Sequence, residues 1–206
     1  MEILYSDDRV LVCVKPAGVL STDEPGGMPD LIRQQHGLEV RTVHRLDQAV
    51  SGLMVFACTA RAAADLSAQI REGSFEKQYL AVVHGQPPEK DTLRDILMRD
   101  KARRMTIVTD TPGKNARGAE LHYYVEAQTA QLSRVRVNLV TGRTHQIRVQ
   151  FASRGWPLVG DRKYGIQDHG QNIALWSCRV AFRHPRTDEP MAFEMMPPQV
   201  YPWTEL

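Results

Sequence analysis

The chain has 206 residues, of which 24% are charged and 42% hydrophobic, and its formal net charge is +2. This composition suits a folded core and excludes wholesale disorder. The small net charge does not decide for or against nucleic-acid binding, because a ligand responds to the local field of the surface it meets.

Apolar runs and turn residues predict strands and helices in alternation through the first third of the chain. Residues 9–15 form an apolar run that predicts a buried strand, and a Pro-Ala-Gly turn follows it. Residues 30–35 predict a short helix, and residues 53–58 predict a second strand. Thr59 then offers an N-cap for a helix with apolar residues at helical spacing, and Gly73 stands where such a helix ends.

Strand patterns dominate the remainder of the chain. They cover residues 76–84, 105–108, 120–128, 131–139 and 173–182. The strands at residues 120–128 and 131–139 are close enough in sequence to form a hairpin. Residues 144–153 predict a helix. We therefore expect an α+β fold with a mixed, largely antiparallel sheet, flanking helices and a central cleft. We expect one catalytic domain over residues 1–206, with residues 87–91 and 111–117 as the loops that suit a subdomain boundary.

A short acidic motif, His44-Arg45-Leu46-Asp47, precedes a Gly-led apolar run and predicts a loop that delivers one carboxylate to the mouth of a buried strand. Asp47 would need a nearby guanidinium to stay ionised in a cleft, and Arg148 is our candidate partner. A helix beginning near Thr144 would place His145 and Arg148 on one face. Spacing alone leaves a purely structural Asp–Arg pair equally open.

Other polar side chains could contact a ligand. Tyr79 could stack on a base or relay a proton, although an ordinary half-buried sheet tyrosine fits the pattern as well. Arg143, His145 and Gln146 cluster at the predicted start of a helix, where backbone N–H groups favour a phosphate. His145 has no serine or cysteine motif to activate, so we favour a positioning role over that of a base.

The densest basic run contains four residues: Arg99, Lys101, Arg103 and Arg104. It is either a solvated charged surface or a set of phosphate contacts for RNA. No HExxH-type histidine spacing, CxxC pair or glycine-rich phosphate motif occurs, so we expect neither a metal nor a nucleotide cofactor. The cysteines sit in apolar runs and the N-terminus lacks signal-peptide character, so we expect a cytoplasmic protein with reduced thiols and no membrane association.

The motif at Asp47 and the block that ends at Arg148 resemble the catalytic signatures of the RluA-type pseudouridine synthases, which isomerise uridine in RNA. Further landmarks stand in the order of that family. They are Val12-Cys13-Val14-Lys15-Pro16-Ala17-Gly18, the strand around Tyr79, Gly160-Asp161 with Lys163-Tyr164-Gly165, and Ile173-Ala174-Leu175. Val50, Gln150 and Trp176 depart from the common pattern, which leaves the subfamily open.

The resemblance implies roles for individual residues. Asp47 would be the essential catalytic residue, paired with Arg148, and Tyr79 would stack on the target base and take part in proton removal. Arg45 would lie close to the flipped nucleotide, and Leu175 would offer an apolar side chain to the base. The reaction breaks the C1′–N1 bond, rotates the uracil and joins C1′ to C5, without redox chemistry or cofactor. The partner would be an rRNA or tRNA stem-loop, bound by a monomer that lacks the S4 RNA-binding domain frequent in the family.

Two alternatives remain open. A hydrolase of glycosidic bonds commonly uses two carboxylates that flank the bond, whereas only one acid sits in such a motif here. A catalytically silent RNA-binding module would have little use for a buried acid beside phosphates. Release of free uracil would identify the hydrolase, and activity on bulk cellular RNA would exclude the silent module.

Overall fold

A computed structural model describes residues 1–111, 113, 115–166 and 172–206 of the chain. The helices are α1 (Met28–His36), α2 (Ala60–Glu72) and α3 (Gln146–Ala152), and a short 3₁₀ helix covers Trp203–Glu205. The strands are β1 (Ile3–Ser6), β2 (Val10–Lys15), β3 (Arg41–Thr42), β4 (Ser51–Ala57), β5 (Glu76–His84), β6 (Lys90–Asp100), β7 (Met105–Val108), β8 (Ala116–Gln128), β9 (Leu132–Leu139), β10 (Leu175–Arg183) and β11 (Pro190–Glu194). The α+β class, with mixed and largely antiparallel strand pairing, is confirmed.

The internal contacts divide the chain into two compact units. The first unit comprises Met1–Gln78 and Trp176–Pro197, and the second comprises Tyr79–Leu175 and Pro198–Leu206. The division falls within β5 and at the start of β10, and not at residues 87–91 or 111–117, where the sequence suggested a boundary. No helix in the described part of the chain is long and apolar enough to cross a membrane.

The first unit is built on strands that bury one face against α2. β2 pairs with β1 and β4 in antiparallel fashion, and β4 pairs in parallel with β10, which also carries β11. The core between this sheet and α2 includes Val12, Val55, Leu66 and Phe75. As predicted, α2 begins after Thr59, whose side chain accepts a hydrogen bond from the Ala62 N–H, and ends at a left-handed glycine.

Gly52 allows β4 to run beside β10. Its φ is +116°, and a Cβ atom there would lie 2.4 Å from the backbone oxygen of Ser177 and 2.5 Å from its nitrogen. Only glycine tolerates both the dihedral angle and this approach. The start of β4, which directly follows the acidic motif, is therefore fixed by main-chain packing.

The second unit contains the strand order β5-β9-β8-β6-β7. The predicted hairpin is confirmed as the antiparallel pair of β8 and β9. The sequence did not reveal β6, because its inward side chains are not uniformly apolar. Asp95 stands between buried Leu93 and Leu97 on the same face, and there it forms an ion pair with Arg154 and accepts a hydrogen bond from Gln150.

Helix α3 is shorter than the predicted span of 144–153. It begins at Gln146, because His145 adopts a left-handed conformation with φ of 56° and so cannot continue a helix toward the N-terminus. His145 is therefore the residue that caps α3, and the prediction that it shares a helical face with Arg148 was wrong.

Candidate active site

The loop that carries Asp47 is held by its backbone. The Ser21 hydroxyl donates to the Leu46 carbonyl oxygen at 2.7 Å and accepts from the Leu46 N–H at 3.1 Å. Ser21 and Leu46 are both buried, and the Val50 N–H closes a turn on the Asp47 carbonyl oxygen at 3.0 Å. Residue exposure alternates along the motif, so that Arg45 is exposed and Asp47 partly exposed. Both main-chain polar groups of Leu46, the residue before Asp47, are therefore fixed by hydrogen bonds to Ser21.

His44 is a structural member of the motif. It is buried, its ring packs 5.4 Å from the Phe75 ring, and its Nε2 accepts the Val55 N–H at 3.0 Å. Burial lowers the pKa of His44 to about 3, and the charge of Lys77 adds to the shift. A neutral ring that accepts through Nε2 carries its proton on Nδ1. His44 therefore anchors the acidic loop to β4 and is not an acid or base at neutral pH.

Lys15, at the end of β2, ties the turn after this strand to the acidic loop. Its ammonium group is buried and donates to the carbonyl oxygens of Pro16 at 2.9 Å, Val19 at 2.7 Å and Gln48 at 3.0 Å. Burial lowers the pKa of Lys15 to about 8, and the negative charge of Asp47 opposes that shift. The Gly18 N–H also donates to the Gln48 carbonyl oxygen, at 2.8 Å. The residue after Asp47 is consequently fixed to a strand more than thirty residues earlier in the sequence.

In the second unit, Arg148 forms a buried bidentate ion pair with Asp161. The Nε and Nη2 atoms of Arg148 lie 2.8 Å and 2.7 Å from the two carboxylate oxygens. Burial raises the pKa of Asp161, but the hydrogen bonds and charge of Arg148, together with the N–H groups of Lys163 and Tyr164, hold that pKa below its ordinary value. Asp161 is therefore an ionised anchor for Arg148.

Tyr164 contacts α3, the residue that caps this helix, and β7. Its ring lies under the Arg148 guanidinium, with the guanidinium carbon 5.2 Å from the ring centroid. Its hydroxyl oxygen lies 2.7 Å from the Thr106 backbone nitrogen on β7 and 2.7 Å from Nδ1 of His145. Lys163 donates to the Arg104 carbonyl oxygen at 2.9 Å. The loop after Asp161 thus connects α3 to the hairpin of β6 and β7.

The segment between β9 and α3 is closed by Gln146. Its Oε1 accepts from the Arg143 N–H at 3.0 Å and from the Thr141 hydroxyl at 2.8 Å, while its Nε2 donates to the Glu120 carbonyl oxygen at 3.0 Å. Arg143 donates through Nε to the Gly118 carbonyl oxygen at 2.9 Å. The Arg143 N–H is thus occupied and Gln146 is buried, while the phosphate site at this helix start stays a prediction.

Tyr79 and Leu175 are both buried in the second unit, each with 5% of its surface exposed. Next to them, the Val82 N–H donates to the Ala174 carbonyl oxygen at 3.1 Å, and the Ala174 N–H donates to the Val159 carbonyl oxygen at 2.8 Å. The end of the segment that carries Leu175 is therefore hydrogen-bonded to the strand that carries Tyr79.

The predicted basic run lies on the hairpin of β6 and β7, which we call the basic hairpin. It is defined by four exposed residues, Arg99, Lys101, Arg103 and Arg104. Arg103 faces Asp100 at 3.8 Å across the turn, and Arg104 has a left-handed backbone with φ of 52°. The turn thus presents several cations on one short protrusion of the second unit.

The predicted site residues fall in both units. Arg45 and Asp47 belong to the first, and the others, which are Tyr79, Arg143, His145, Gln146, Arg148 and Leu175, belong to the second. The structure brings His145 and Arg148 together around Tyr164. The pairing of Asp47 with Arg148 stays a prediction.

Four residues that organise the site were not predicted: Lys15, Ser21, Asp161 and Tyr164. The sequence carried a signal for three of them, because Lys15, Asp161 and Tyr164 lie in motifs that resemble the family pattern. Ser21 lies in a predicted loop and has no such signal.

The sequence of the chain is similar to those of known proteins. Residues 9–153 match the sequence profile of a family described as RNA pseudouridylate synthase. The dual-specificity RNA pseudouridine synthase RluA of Escherichia coli (strain K12) is 31% identical and covers 93% of this chain and 91% of its own length. The uncharacterized RNA pseudouridine synthase YlyB of Bacillus subtilis (strain 168) is 35% identical over 97% of this chain and 70% of its own length. The uncharacterized RNA pseudouridine synthase YhcT of the same strain is 37% identical over 92% of this chain and 66% of its own length.

Two solved structures share the fold. Human RNA pseudouridylate synthase domain containing 1 superposes with a TM-score of 0.83 at 23% identity, covering 97% of this chain and 84% of that one. Human RNA pseudouridylate synthase domain containing 4 superposes with a TM-score of 0.79 at 20% identity, covering 96% of this chain and 89% of that one. With the profile match and the relatives above 30% identity, the chain belongs to the RNA pseudouridine synthase family, whose members are isomerases.

Proposed function

We propose that the protein converts specific uridines of structured rRNA or tRNA to pseudouridine, with Asp47 as the catalytic carboxylate. The observation that carries this proposal is the loop geometry, in which the residues on both sides of Asp47 are held by buried Ser21 and Lys15. Such preorganisation suits a group that must meet a reacting carbon at a fixed position. One relative is named for the large ribosomal subunit, which supports rRNA as a substrate class.

The remaining residues receive roles that suit their surroundings. Tyr79 stacks on the target uracil and takes part in proton removal, and Leu175 covers the base with an apolar surface. Arg45 is exposed beside Asp47 and contacts the flipped nucleotide. The base has to leave its stack before reaction, at a cost of a few kcal/mol, and these contacts offset it.

Arg143 and Gln146 differ from the other candidates. Gln146 holds the β9–α3 segment in place, so we assign it a positioning role and not a contact with RNA. Arg143 is anchored at Nε, but its guanidinium is exposed, so it remains a candidate for a phosphate contact.

The proposed enzyme works as a cytoplasmic monomer. Two of its three cysteines are buried thiols, Cys13 and Cys178, which suits a reducing compartment. It needs no small-molecule cofactor and no membrane, because the isomerisation involves neither a redox step nor an activated donor.

The test of this function is tritium release from RNA that carries label at uracil C5. The hydrogen at C5 is lost when C1′ joins this carbon, so an isomerase releases tritium without free uracil. We expect release on cellular rRNA or tRNA. Liberation of free uracil would assign the protein to the glycoside hydrolases, and the absence of both products would leave an RNA-binding module.

Arg148→Ala is expected to reduce single-turnover isomerisation at saturating RNA far more than it weakens RNA binding, because the guanidinium proposed as the partner of Asp47 would be gone. Arg148→Lys should recover only part of the rate, since lysine lacks the planar fork. A matched control is Arg154→Ala, which breaks another ion pair of the same unit, with Asp95 at 2.9 Å. Full turnover by the Arg148→Ala variant would remove the proposed pair with Asp47.

RNA affinity is expected to fall steeply with salt, because binding of cations to phosphates releases counterions. Neutralising the four cations of the basic hairpin should reduce the slope of log K against log salt by about one for every phosphate that the variant no longer binds. Binding measured at several salt concentrations gives this slope. The control neutralises four exposed cations elsewhere: Arg41, Arg61, Arg71 and Lys90. An unchanged slope in the basic-hairpin variant would make the basic hairpin a solvated surface.

A further inference from the structure

An open groove crosses the strands of the second unit, on the face that α3 does not cover. Leu97 of β6 packs with Val149 of α3, so strand alternation turns Ile96 to the opposite face. There Ile96 lies directly across from Gly118 of β8, and both residues line the groove. The groove has a volume of about 620 Å³, within the range of about 300–1,000 Å³ that is typical of small-ligand sites.

Gly118 keeps the middle of the groove open. This residue is exposed, and a Cβ atom on it would meet no other heavy atom within 4 Å. Residues 140–141, which follow β9, line one side of the groove, and residues 109–110, which follow β7, line the other. Main-chain hydrogen bonds of 3.1 Å and 2.9 Å join these two segments to β8 and β6. The groove is therefore a preformed feature of the sheet.

The charges in the groove are mostly negative. Nη2 of Arg94 donates to Oε1 of Glu120 at 3.0 Å, and this hydrogen bond lowers the pKa of Glu120, so the carboxylate is ionised. Asp110 adds an exposed carboxylate, whereas the charge of Asp95 is balanced by its ion pair with Arg154. Arg94 is the one cation among the lining residues in the described part of the chain. The groove is thus acidic on balance and disfavours a phosphate.

The surroundings of the groove are basic. Nε of Arg143 donates to the Gly118 carbonyl oxygen at 2.9 Å, and Arg143 is exposed. β6 and β7 continue from the groove into the basic hairpin, where Arg99 follows Ile96 by three residues, or about 10 Å along an extended strand. Phosphates of a bound RNA are attracted to these cations and repelled by the carboxylates. An RNA strand on the basic hairpin therefore meets the groove best with a base.

We infer that the groove binds an unpaired nucleobase with an exocyclic amino group, which means adenine, cytosine or guanine, and discriminates against uracil. This inference rests on the proposed function, which supplies RNA as the ligand. A carboxylate only accepts hydrogen bonds, and the amino groups of these three bases donate them. Uracil has carbonyl oxygens at its exocyclic positions, and Glu120 and Asp110 repel them. The groove thus reads a nucleotide other than the target uridine.

The first test compares two RNA nonamers, one of adenosine and one of purine riboside, which differ only in the exocyclic amino group. We expect the adenosine nonamer to bind the wild type about tenfold more tightly, as one hydrogen bond to a charged group predicts. Fluorescence anisotropy at a fixed salt concentration gives both dissociation constants. Equal affinity for the two nonamers would overturn the inference.

Removing the carboxylate charges tests the assigned groups. Combining Glu120→Gln with Asp110→Asn leaves neutral acceptors, so the difference between the nonamers should narrow to about threefold or less. The matched control combines Glu76→Gln with Asp188→Asn, which removes two carboxylates of exposed ion pairs in the first unit and should keep the tenfold difference. A difference that stayed at tenfold in the groove variant would refute the assignment.

Filling the groove is an independent test. Gly118→Leu places a side chain in the open space, and the φ of Gly118 lies outside the left-handed region, so the backbone tolerates the change. We expect the adenosine nonamer to lose its advantage. Ala116→Leu adds the same side chain at the next position on this face of β8, outside the groove, and should keep the advantage. Thermal unfolding checks that both variants are folded, and a folded Gly118→Leu variant with the full advantage would contradict the inference.

NMR locates the bound base. Adenosine 5′-monophosphate or uridine 5′-monophosphate is added to the wild type, and the amide signal of Gly118 is followed. Gly118→Ala identifies this signal by its loss. We expect the adenine nucleotide to shift the signal and the uracil nucleotide to leave it in place, whereas equal shifts would show that the groove does not discriminate.

These measurements are separable from the test of the proposed function, because none of them requires turnover. A protein that discriminates between the nonamers but releases no tritium would refute the function and leave the groove assignment standing. An active enzyme that binds both nonamers equally would refute the inference alone.

Discussion

Asp47→Asn is expected to abolish uridine isomerisation, with a loss of at least about a thousandfold in single-turnover rate, or about 4 kcal/mol of transition-state stabilisation. The amide has nearly the same size as the carboxylate and can still hydrogen-bond, but it lacks the negative charge with which a carboxylate either attacks a carbon or promotes elimination at the sugar. The loop should keep its conformation, because Ser21 and Lys15 hold main-chain atoms of Leu46 and Gln48 by hydrogen bonds that this substitution leaves in place.

The measurement combines tritium release with RNA affinity. We expect Asp47→Asn to bind RNA as tightly as the wild type or more tightly, because a negative charge that faces phosphates is gone. Asp65→Asn, at a partly buried acid of α2, serves as the control for a general effect of charge and should retain full activity. Tritium release by Asp47→Asn at the wild-type rate would show that another group performs the chemistry.

The elements that local sequence signals specify were predicted well. The start of α2 follows from the Thr59 cap and its end from Gly73, both of which act within one helical turn. The bounds of β7 and β5 are also those expected from their apolar runs. In each case the residues that determine the element lie inside it or next to it, so a single sequence contains the information.

Predictions failed where a distant contact overrides the local pattern. β6 was missed because Asp95 occupies an inward position that its ion pair with Arg154 makes tolerable, and that partner lies far along the chain. The start of α3 was placed too early because nothing local announces the left-handed backbone of His145. Its ring is held by Tyr164, which is also remote in sequence.

In the candidate site, too, local motifs were predicted from the sequence and contacts between distant residues were not. The motif at Asp47 and the block at Arg148 were visible because their residue types are suggestive at short spacing. The contacts that hold these groups were not visible, since Ser21 reaches Leu46 and Lys15 reaches Gln48 across separate elements. The sequence motifs therefore indicate which residues are candidates for catalysis, whereas only the fold shows which neighbouring residues hold them in place.

Asp161→Asn is expected to lower the free energy of unfolding by about 3 kcal/mol, because it removes the carboxylate that binds the buried Arg148 guanidinium through both of its oxygens. Turnover should fall strongly as well, since the amide has one acceptor oxygen in place of the two that orient Arg148. Urea unfolding gives the first quantity and single-turnover tritium release the second.

The exposed pair of Arg183 and Asp188 is a matched control. It has the same bidentate geometry, with distances of 2.7 Å and 2.9 Å, but more than half of each side chain is exposed. Asp188→Asn should therefore cost less than about 1 kcal/mol and leave turnover intact. Combining Asp161→Asn with Arg148→Met removes the buried guanidinium as well, so stability should partly return while activity does not. A double variant that regained activity would show that Arg148 serves stability alone.

The pH dependence of the unfolding free energy tests whether the charge of Asp161 causes the difference in stability between the wild type and Asp161→Asn. Because its native pKa is depressed, its stabilising contribution is complete above the unfolded-chain pKa of about 3.9 and is lost as the pH falls through the lower native value. Asp161→Asn has no such carboxyl group. The gap in unfolding free energy between wild type and variant should therefore stay constant from about pH 8 to about pH 5 and narrow below about pH 4. A gap that persisted unchanged in acid would mean that Asp161 stabilises the fold by its shape and hydrogen bonds, and not by its charge.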